Sequence, residues 1–160
     1  MDKEFPKYVL VSVLLFFAIF LAAQMLLPQT VPEGTDLLNY RYTEDTRLQL
    51  HIHPWLEIWI DGKNESIPAN IGIDGGGIRV IHTHDETGKI HVESPWPHEF
   101  YLKDFFYIWG KRFDSECIFE FCTDANHTLD VYVDGARSGL YGDIPLEDGQ
   151  KIKIVYSGRK

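Results

Sequence analysis

The chain has 160 residues and a formal net charge of −9, and this length allows one domain of ordinary size plus an appendage. Its 15 Lys and Arg residues form no basic cluster. This argues against a nucleic-acid partner, because such a partner requires a positively charged surface.

Residues 8–27 (YVLVSVLLFFAIFLAAQMLL) predict a transmembrane helix, because the segment contains no charged side chain. At about 1.5 Å per residue, a helix of this length extends roughly 30 Å, which is the thickness of a bilayer core. The alternative is a signal peptide cleaved near Ala22-Ala23, but the long apolar run favours an uncleaved anchor. Two lysines precede the segment and the next basic residue is Arg41. We therefore expect residues 1–7 to be cytoplasmic and the rest of the chain to be extracytoplasmic.

Residues 28–47 predict a linker, since prolines, Gly34 and polar residues occur there without sustained periodicity. From residue 48 onwards, short runs alternate apolar and polar side chains and are separated by turn signals, as in antiparallel hairpins. We therefore expect a mainly β (α+β) fold, with one small extracytoplasmic domain over residues 48–160 that consists of antiparallel hairpins and one packed helix.

The first predicted strand of this domain carries two histidines. Apolar and polar residues alternate over residues 48–53, which places His51 and His53 on the polar face of a half-buried strand. A second strand is predicted over residues 55–60, and the Asp61-Gly62 pair after it is a strong turn signal.

Residues 81–93 (IHTHDETGKIHVE) predict a β-hairpin with a polar turn. If His84 pairs with Lys89 across the turn, His82 pairs with His91, and Glu93 lies on the same face as these histidines. Three imidazoles so placed can converge on one metal ion at about 2.0–2.1 Å per bond and leave a position for water or substrate.

The weak point of this prediction is the register of the hairpin. A turn that is one residue longer or shorter would place Ile90 instead of His91 on the histidine face. The alternative interpretation is then an ordinary solvated sheet face that is rich in histidine.

One helix and a closing strand are predicted in the second half of the domain. Residues 100–110 (FYLKDFFYIWG) carry apolar side chains at helical spacing, and Gly110 is placed to end the helix. Residues 146–156 predict a turn and a last strand that resembles the closing strand of a β-grasp domain.

Two cysteines and two glycosylation motifs bear on the compartment. Cys117 and Cys122 cannot bridge within one straight strand, but they can form a disulfide if residues 118–121 form a loop. An even cysteine count outside the cytoplasm favours this bridge, and a thiolate metal ligand is the alternative. Asn64 and Asn126 begin N-x-S/T acceptor sequences in predicted loops, which agrees with an external domain.

Taken together, these motifs resemble a family of membrane-anchored, externally facing proteins of archaea and some bacteria. The resemblance covers residues 48–156 and implies that both His-x-His pairs belong to one domain. It implies no activity. The motifs that carry it are His51-Ile52-His53-Pro54, Leu56-Glu57-Ile58, Ile67-Pro68-Ala69-Asn70-Ile71-Gly72-Ile73, His82-Thr83-His84-Asp85, Ile90-His91-Val92-Glu93-Ser94, Phe105-Phe106 and Ile108-Trp109-Gly110.

The favoured hypothesis is a tethered external domain that binds a transition metal, copper or zinc, since imidazole suits both. Its role would be metal handling, electron transfer or service as an accessory to a membrane complex. Glu57, Asp85 and Glu93 would orient the ligand imidazoles, whereas His98 and His127 lie in predicted loops and are expected to be solvated. The predicted ligands are His51, His53, His82, His84 and His91.

Two other hypotheses remain open. In a small metalloenzyme, three histidines would hold a catalytic metal, and Glu93 or Asp85 would be the general base. The short chain leaves little room for a substrate pocket, so a non-enzymatic role is favoured. In a structural or accessory protein, the histidines would only line a polar interface.

Overall fold

The computed structural model describes residues 7–26 and 30–159. The first of these segments is a single helix, α1 (Lys7–Leu26). The predicted cytoplasmic residues 1–6, position 27 of the predicted transmembrane segment and positions 28–29 of the predicted linker lie outside the described residues. Within the described segments, no helix is both long enough and apolar enough to cross a membrane.

The described residues from Val31 onwards form a second unit, and position 160 of the predicted domain lies outside the described residues. This unit contains the α-helix α2 (Leu102–Trp109) and a short 3-10 helix (Tyr141–Asp143). Its strands are β1 (Arg41–Tyr42), β2 (Leu50–Ile52), β3 (Trp55–Ile60), β4 (Lys63–Glu65), β5 (Ile73–Asp74), β6 (Gly77–Arg79), β7 (Ile81–His82), β8 (His91–Ser94), β9 (Cys117–Ile118), β10 (Phe121–Cys122), β11 (His127–Val133), β12 (Ala136–Ser138) and β13 (Lys151–Gly158). The predicted mainly β character is thus confirmed.

The largest sheet has five strands in the order β12-β11-β13-β3-β4. Most neighbours in it are antiparallel, as predicted, but β3 and β13 are parallel, with Leu56 beside Ile152 and Ile58 beside Ile154. These four side chains are buried. A parallel pair needs a crossover connection, and residues 61–150, which lie between the two strands in sequence, provide it. The sequence pattern alone did not reveal this pairing.

A second sheet of three antiparallel strands, in the order β2-β8-β7, carries the histidines. His82 lies opposite His91 and Ile81 opposite Val92, so the predicted register of the hairpin is confirmed. The opposite face of this hairpin is buried in the core, because Ile81, Ile90 and Val92 have no exposed surface. Burial of one face fixes the register, since a slip of one residue would turn these side chains outward.

Helix α2 packs its apolar stripe into the same core. Leu102, Phe105 and Phe106 are buried, and they lie in one cluster with the inward side chains of β3, β11 and β13. Gly110 adopts the left-handed conformation (φ 70°) and ends the helix, as predicted.

Part of the segment predicted as a linker belongs to the folded unit. Leu37, Leu38 and Tyr40 pack against the core, and β1 pairs with β6. Tyr42 is only 5% exposed. A two-residue strand is too short to show periodicity, which is why the sequence pattern of residues 28–47 indicated a spacer.

The structure contains the disulfide between Cys117 and Cys122. The two cysteines face each other across the short β9–β10 hairpin, with Cα atoms 4.1 Å apart, because the chain reverses at Phe119 and Glu120. Asn126 lies in an exposed bend, whereas Asn64 lies in the exposed strand β4 rather than in the loop predicted for it.

Candidate metal centre

The three-stranded sheet brings the two predicted histidine motifs onto one face. On the central strand β8, His91 and Glu93 project to the same side because they are two residues apart. His51 on β2 lies opposite Glu93, and His82 on β7 lies opposite His91. His53 and His84 each follow two residues after a paired histidine and continue the same face. All five predicted ligands are therefore brought together.

The first of two donor sets, which we call the outer set, consists of His51, His53, His91 and Glu93, and its donor atoms all lie within 4.8 Å of one another. The Nε2 atoms of His51 and His53 are 3.1 Å apart. Glu93 Oε1 lies 3.1 Å from His51 Nε2 and 3.2 Å from His91 Nδ1. Donors at 2.0–2.1 Å from a tetrahedral ion are separated by about 3.3 Å, so this spacing is close to that of a metal site.

The second donor set, which we call the inner set, consists of His82, His84 and His91, again with donor atoms within 4.8 Å of one another. The Nε2 atoms of His82 and His84 are 3.1 Å apart. The ring centroid of His91 lies 5.2 Å from that of His82 and 4.6 Å from that of His84. The convergence of three rings that the hairpin register predicts is thus present.

The cluster extends from the protein interior to the surface. His82 has no exposed surface, His53, His91 and Glu93 are half-buried, and His51 and His84 are exposed. The alternative interpretation, an ordinary solvated sheet face rich in histidine, therefore does not describe His82. Two exposed imidazoles, His51 and His84, lie at the solvent-facing rim of the cluster.

A hydrogen bond fixes the orientation of the buried imidazole. His82 Nδ1 lies 3.1 Å from the carbonyl oxygen of Arg79. A carbonyl oxygen only accepts, so Nδ1 carries the proton and donates. The lone pair of His82 is then on Nε2, the atom that faces His84. Ligand histidines in metal proteins commonly donate their other nitrogen in this way.

The turn at Gly72, directly before β5, packs against β7 at this buried end of the site. The Gly72 backbone has a φ of +73°, and a Cβ placed there would lie 2.4 Å from the carbonyl oxygen of Ile81 and 3.2 Å from Cβ of His82. Thr83 holds the loop, because its backbone N–H donates to Ile71 and its hydroxyl accepts from the Ile71 N–H. The close approach of backbone to β7 accounts for a glycine at position 72.

Burial keeps three of the imidazoles neutral at pH 7. The net pKa of His82 is lowered to about 4: burial is the largest cause, Glu93 acts in the opposite direction, and the nearby His84 and His91 add to the lowering. Burial likewise lowers the pKa of His91 and of His53. A neutral imidazole has one free lone pair of the kind that a metal ion requires, so each of these side chains can bind one ion without first losing a proton.

Glu93 stays ionised among these rings. Burial by itself raises the pKa of its carboxyl, but the hydrogen bond from Tyr42 and the neighbouring His82 and His91 lower it, and the net direction is downward. Tyr42 donates to Glu93 Oε2 at 2.6 Å, which leaves Oε1 for the outer set. Burial and the bonded carboxylate raise the pKa of Tyr42, so its phenol remains a donor.

Tyr42 is the site residue that the sequence did not indicate, since it lies in a segment with no periodic pattern. Glu93, predicted to orient ligands, is itself in donor position. The other two predicted orienting carboxylates bond elsewhere: Asp85 accepts from the N–H and hydroxyl of Thr87, and Glu57 accepts from Trp59 Nε1 at 3.0 Å.

The two remaining histidines lie outside both donor sets. His127 is 2.9 Å from Asp124 and stacks on Tyr156 with ring centroids 5.2 Å apart. His98 is exposed and packs edge-on against Phe100. The prediction of a solvated loop position is confirmed for His98, but it is wrong for His127, which begins strand β11 and is half-buried.

Comparison with known protein families, with curated proteins and with solved structures finds no match for this chain. The class of protein is therefore defined by its fold and its site: a mainly β protein with a histidine-rich candidate metal centre on a three-stranded sheet.

Proposed function

We propose that this protein binds a transition-metal ion, copper or zinc, in the histidine cluster on β2, β7 and β8. The observation that carries the proposal is the convergence of imidazoles from three strands, with two close imidazole pairs 3.1 Å apart and the carboxylate of Glu93 3.1–3.2 Å from His51 and His91. Clustered imidazoles are a ligand set for copper and zinc, whereas calcium and magnesium take oxygen ligands.

The state of the donors supports metal binding over a purely structural role. A polar interface needs no close pairs of imidazole nitrogens, and an imidazolium pair at such spacing would be repulsive. The lowered pKa values of His53, His82 and His91 give uncharged rings at neutral pH, and Glu93 supplies one negative charge that offsets part of the charge of a dication.

Metal binding, metal transfer or electron transfer fits this site better than catalysis on a large substrate. The groove on the outer face of the five-stranded sheet is lined by Trp55, Tyr132, Lys151 and Lys153 and by none of the histidines. We therefore infer a role in metal handling, in electron transfer or as an accessory to a larger complex.

We also propose an extracytoplasmic location. The Cys117–Cys122 disulfide supports it, because disulfides persist in oxidising compartments. We further propose a membrane tether at residues 8–27. We also propose that the protein belongs to the membrane-anchored family that its motifs resemble. The β-grasp interpretation of the C-terminal part agrees with β13 lying beside and parallel to β3.

The test is metal analysis of the full chain prepared without a histidine tag. After loading with Zn²⁺ or Cu²⁺ and exhaustive dialysis, we expect stoichiometric metal, and the double variant His82→Ala/His84→Ala should lose at least half of it. The matched control is His98→Ala, which removes an imidazole outside the cluster and should retain all of the metal. Absence of stoichiometric metal in the unaltered chain would contradict the proposal.

A further inference from the structure

The donor atoms of the cluster are divided between two sets that share one residue. Among the described residues, the outer set and the inner set have only His91 in common. Each set also has its own pair of imidazoles whose Nε2 atoms are 3.1 Å apart, namely His51 with His53 and His82 with His84. The arrangement thus contains two close pairs on either side of one central ring.

Distances argue against one ion being held by both pairs. Donors at 2.0–2.1 Å from a common ion are at most about 4.2 Å from each other. The six side chains do not form one set with mutual donor distances within 4.8 Å, but two sets. A single ion can therefore use one set fully and leaves the other pair with its lone pairs unused.

His91 is placed to serve both sets. It lies on the central strand β8, and its ring centroid is 4.6 Å from those of His53 and His84, which belong to different sets. Its Nδ1 atom belongs to the outer set through its 3.2 Å contact with Glu93 Oε1. Because each imidazole nitrogen has one lone pair, a ring that binds two ions must use one nitrogen for each of them.

We propose that the cluster holds two transition-metal ions at once, with His91 as the bridging ligand between them; this inference rests on the proposed function. The inner ion is bound by His82, His84 and His91, and the outer ion by His51, His53, His91 and Glu93. When both ring nitrogens of His91 hold metal, the ring loses its remaining N–H proton to solvent and bridges as an imidazolate. No electron is transferred in this step.

The two positions differ in their surroundings. The inner set includes His82, which has no exposed surface, whereas the outer set includes the exposed His51 and the carboxylate of Glu93. The exposed His84 also belongs to the inner set, so an exposed imidazole gives solvent access to each of the two positions.

The experiment is a Cu²⁺ titration of the untagged full chain, followed by metal analysis and by electron paramagnetic resonance. We expect two equivalents of copper. An imidazolate bridge couples the two unpaired spins, so the integrated signal should fall well below the copper content once the second equivalent is bound. The variant His51→Ala/His53→Ala should bind one equivalent with a full, uncoupled signal.

Two further variants test whether a loss of bound copper is caused by misfolding. His84→Ala removes an exposed inner ligand and should also bind one equivalent with a full signal, and His98→Ala should behave as the unaltered chain. One equivalent in the unaltered chain would overturn the two-ion inference and leave the proposed function standing. Two equivalents with a full, uncoupled signal would overturn the bridging role of His91. No bound copper would overturn both proposals.

Discussion

Tyr42 donates its phenol hydrogen to Glu93 Oε2 at 2.6 Å, so a residue from the two-residue strand β1 holds the only carboxylate of the cluster's two donor sets. The bond occupies one carboxylate oxygen and leaves Oε1 beside His51 and His91. Partners of this kind orient metal ligands and tune their basicity. The N-terminal part of the folded unit is therefore a component of the site.

Tyr42→Phe should weaken metal binding at the outer set. The variant keeps the ring in its buried position and removes one hydrogen bond, so we expect an affinity loss of about 10-fold to 100-fold and a stability loss of about 1 kcal/mol. Competition titration with a metal chelator measures the first effect. Tyr40→Phe is the control, because Tyr40 lies on the same segment and packs edge-on against Trp96. Equal affinities of the two variants would contradict this role of Tyr42.

The metal-free protein should lose stability as the pH falls from about 6.5 to about 4. The pKa of His82 is lowered from 6.5 to about 4 in the folded protein, so in this window the unfolded chain binds more protons than the folded chain. Stability from this group is therefore present above pH 6.5 and decreases on acidification. At pH 4.5 the expected loss is about 2–3 kcal/mol relative to pH 7.

Urea unfolding of the metal-free chain at pH 7 and pH 4.5 measures this effect. His82→Gln removes the titrating group and retains a side chain that can donate to Arg79, so its stability should vary less over the same range. A pH dependence that is the same in the variant as in the unaltered chain would assign the effect to other groups.

Bound metal should be released when the pH falls below about 6. Protons compete with the metal for the imidazole lone pairs, and the exposed His51 and His84 give solvent direct access to both sets. Dialysis at stepped pH values followed by metal analysis gives the release curve. Full retention of metal at pH 4 would be inconsistent with histidine ligation.

Gly72→Ala should disturb the buried end of the site. The new Cβ would lie 2.4 Å from the carbonyl oxygen of Ile81, and the residue has a φ of +73°, so both contact and backbone conformation oppose the substitution. We expect a loss of about 2 kcal/mol or more in the free energy of unfolding and weaker metal binding by the inner set. Gly75→Ala, in the turn between β5 and β6, is a matched control, since nothing lies within 4 Å of its added Cβ. Similar stabilities of the two variants would contradict the prediction and would show that β7 can move to accommodate the added methyl group.

The hairpin that carries His82 and His91 could be predicted because its two faces differ so strongly. Ile81, Ile90 and Val92 are apolar and fully buried, so the alternation of the sequence determines both the register and the direction of the histidines. Helix α2 was predictable for the same reason, from its apolar stripe and Gly110. Both elements can be predicted from residues that are close together in the sequence.

The remaining features depend on residues far apart in the chain. The pairing of His51 with Glu93, which places the two His-x-His motifs side by side, joins strands about 40 residues apart and leaves no periodic trace in the sequence. The parallel contact of β3 with β13 and the bond from Tyr42 to Glu93 are of this kind. The division of the donors into two sets is therefore a result of the three-dimensional arrangement.

The most direct test of the central claim is the X-ray absorption spectrum of the untagged full chain loaded with zinc. Ligation by the histidine cluster predicts a first shell dominated by nitrogen at about 2.0 Å, together with the outer-shell scattering that imidazole rings produce. A first shell of oxygen alone, or a sulfur shell at about 2.3 Å, would contradict the claim that these imidazoles hold the metal.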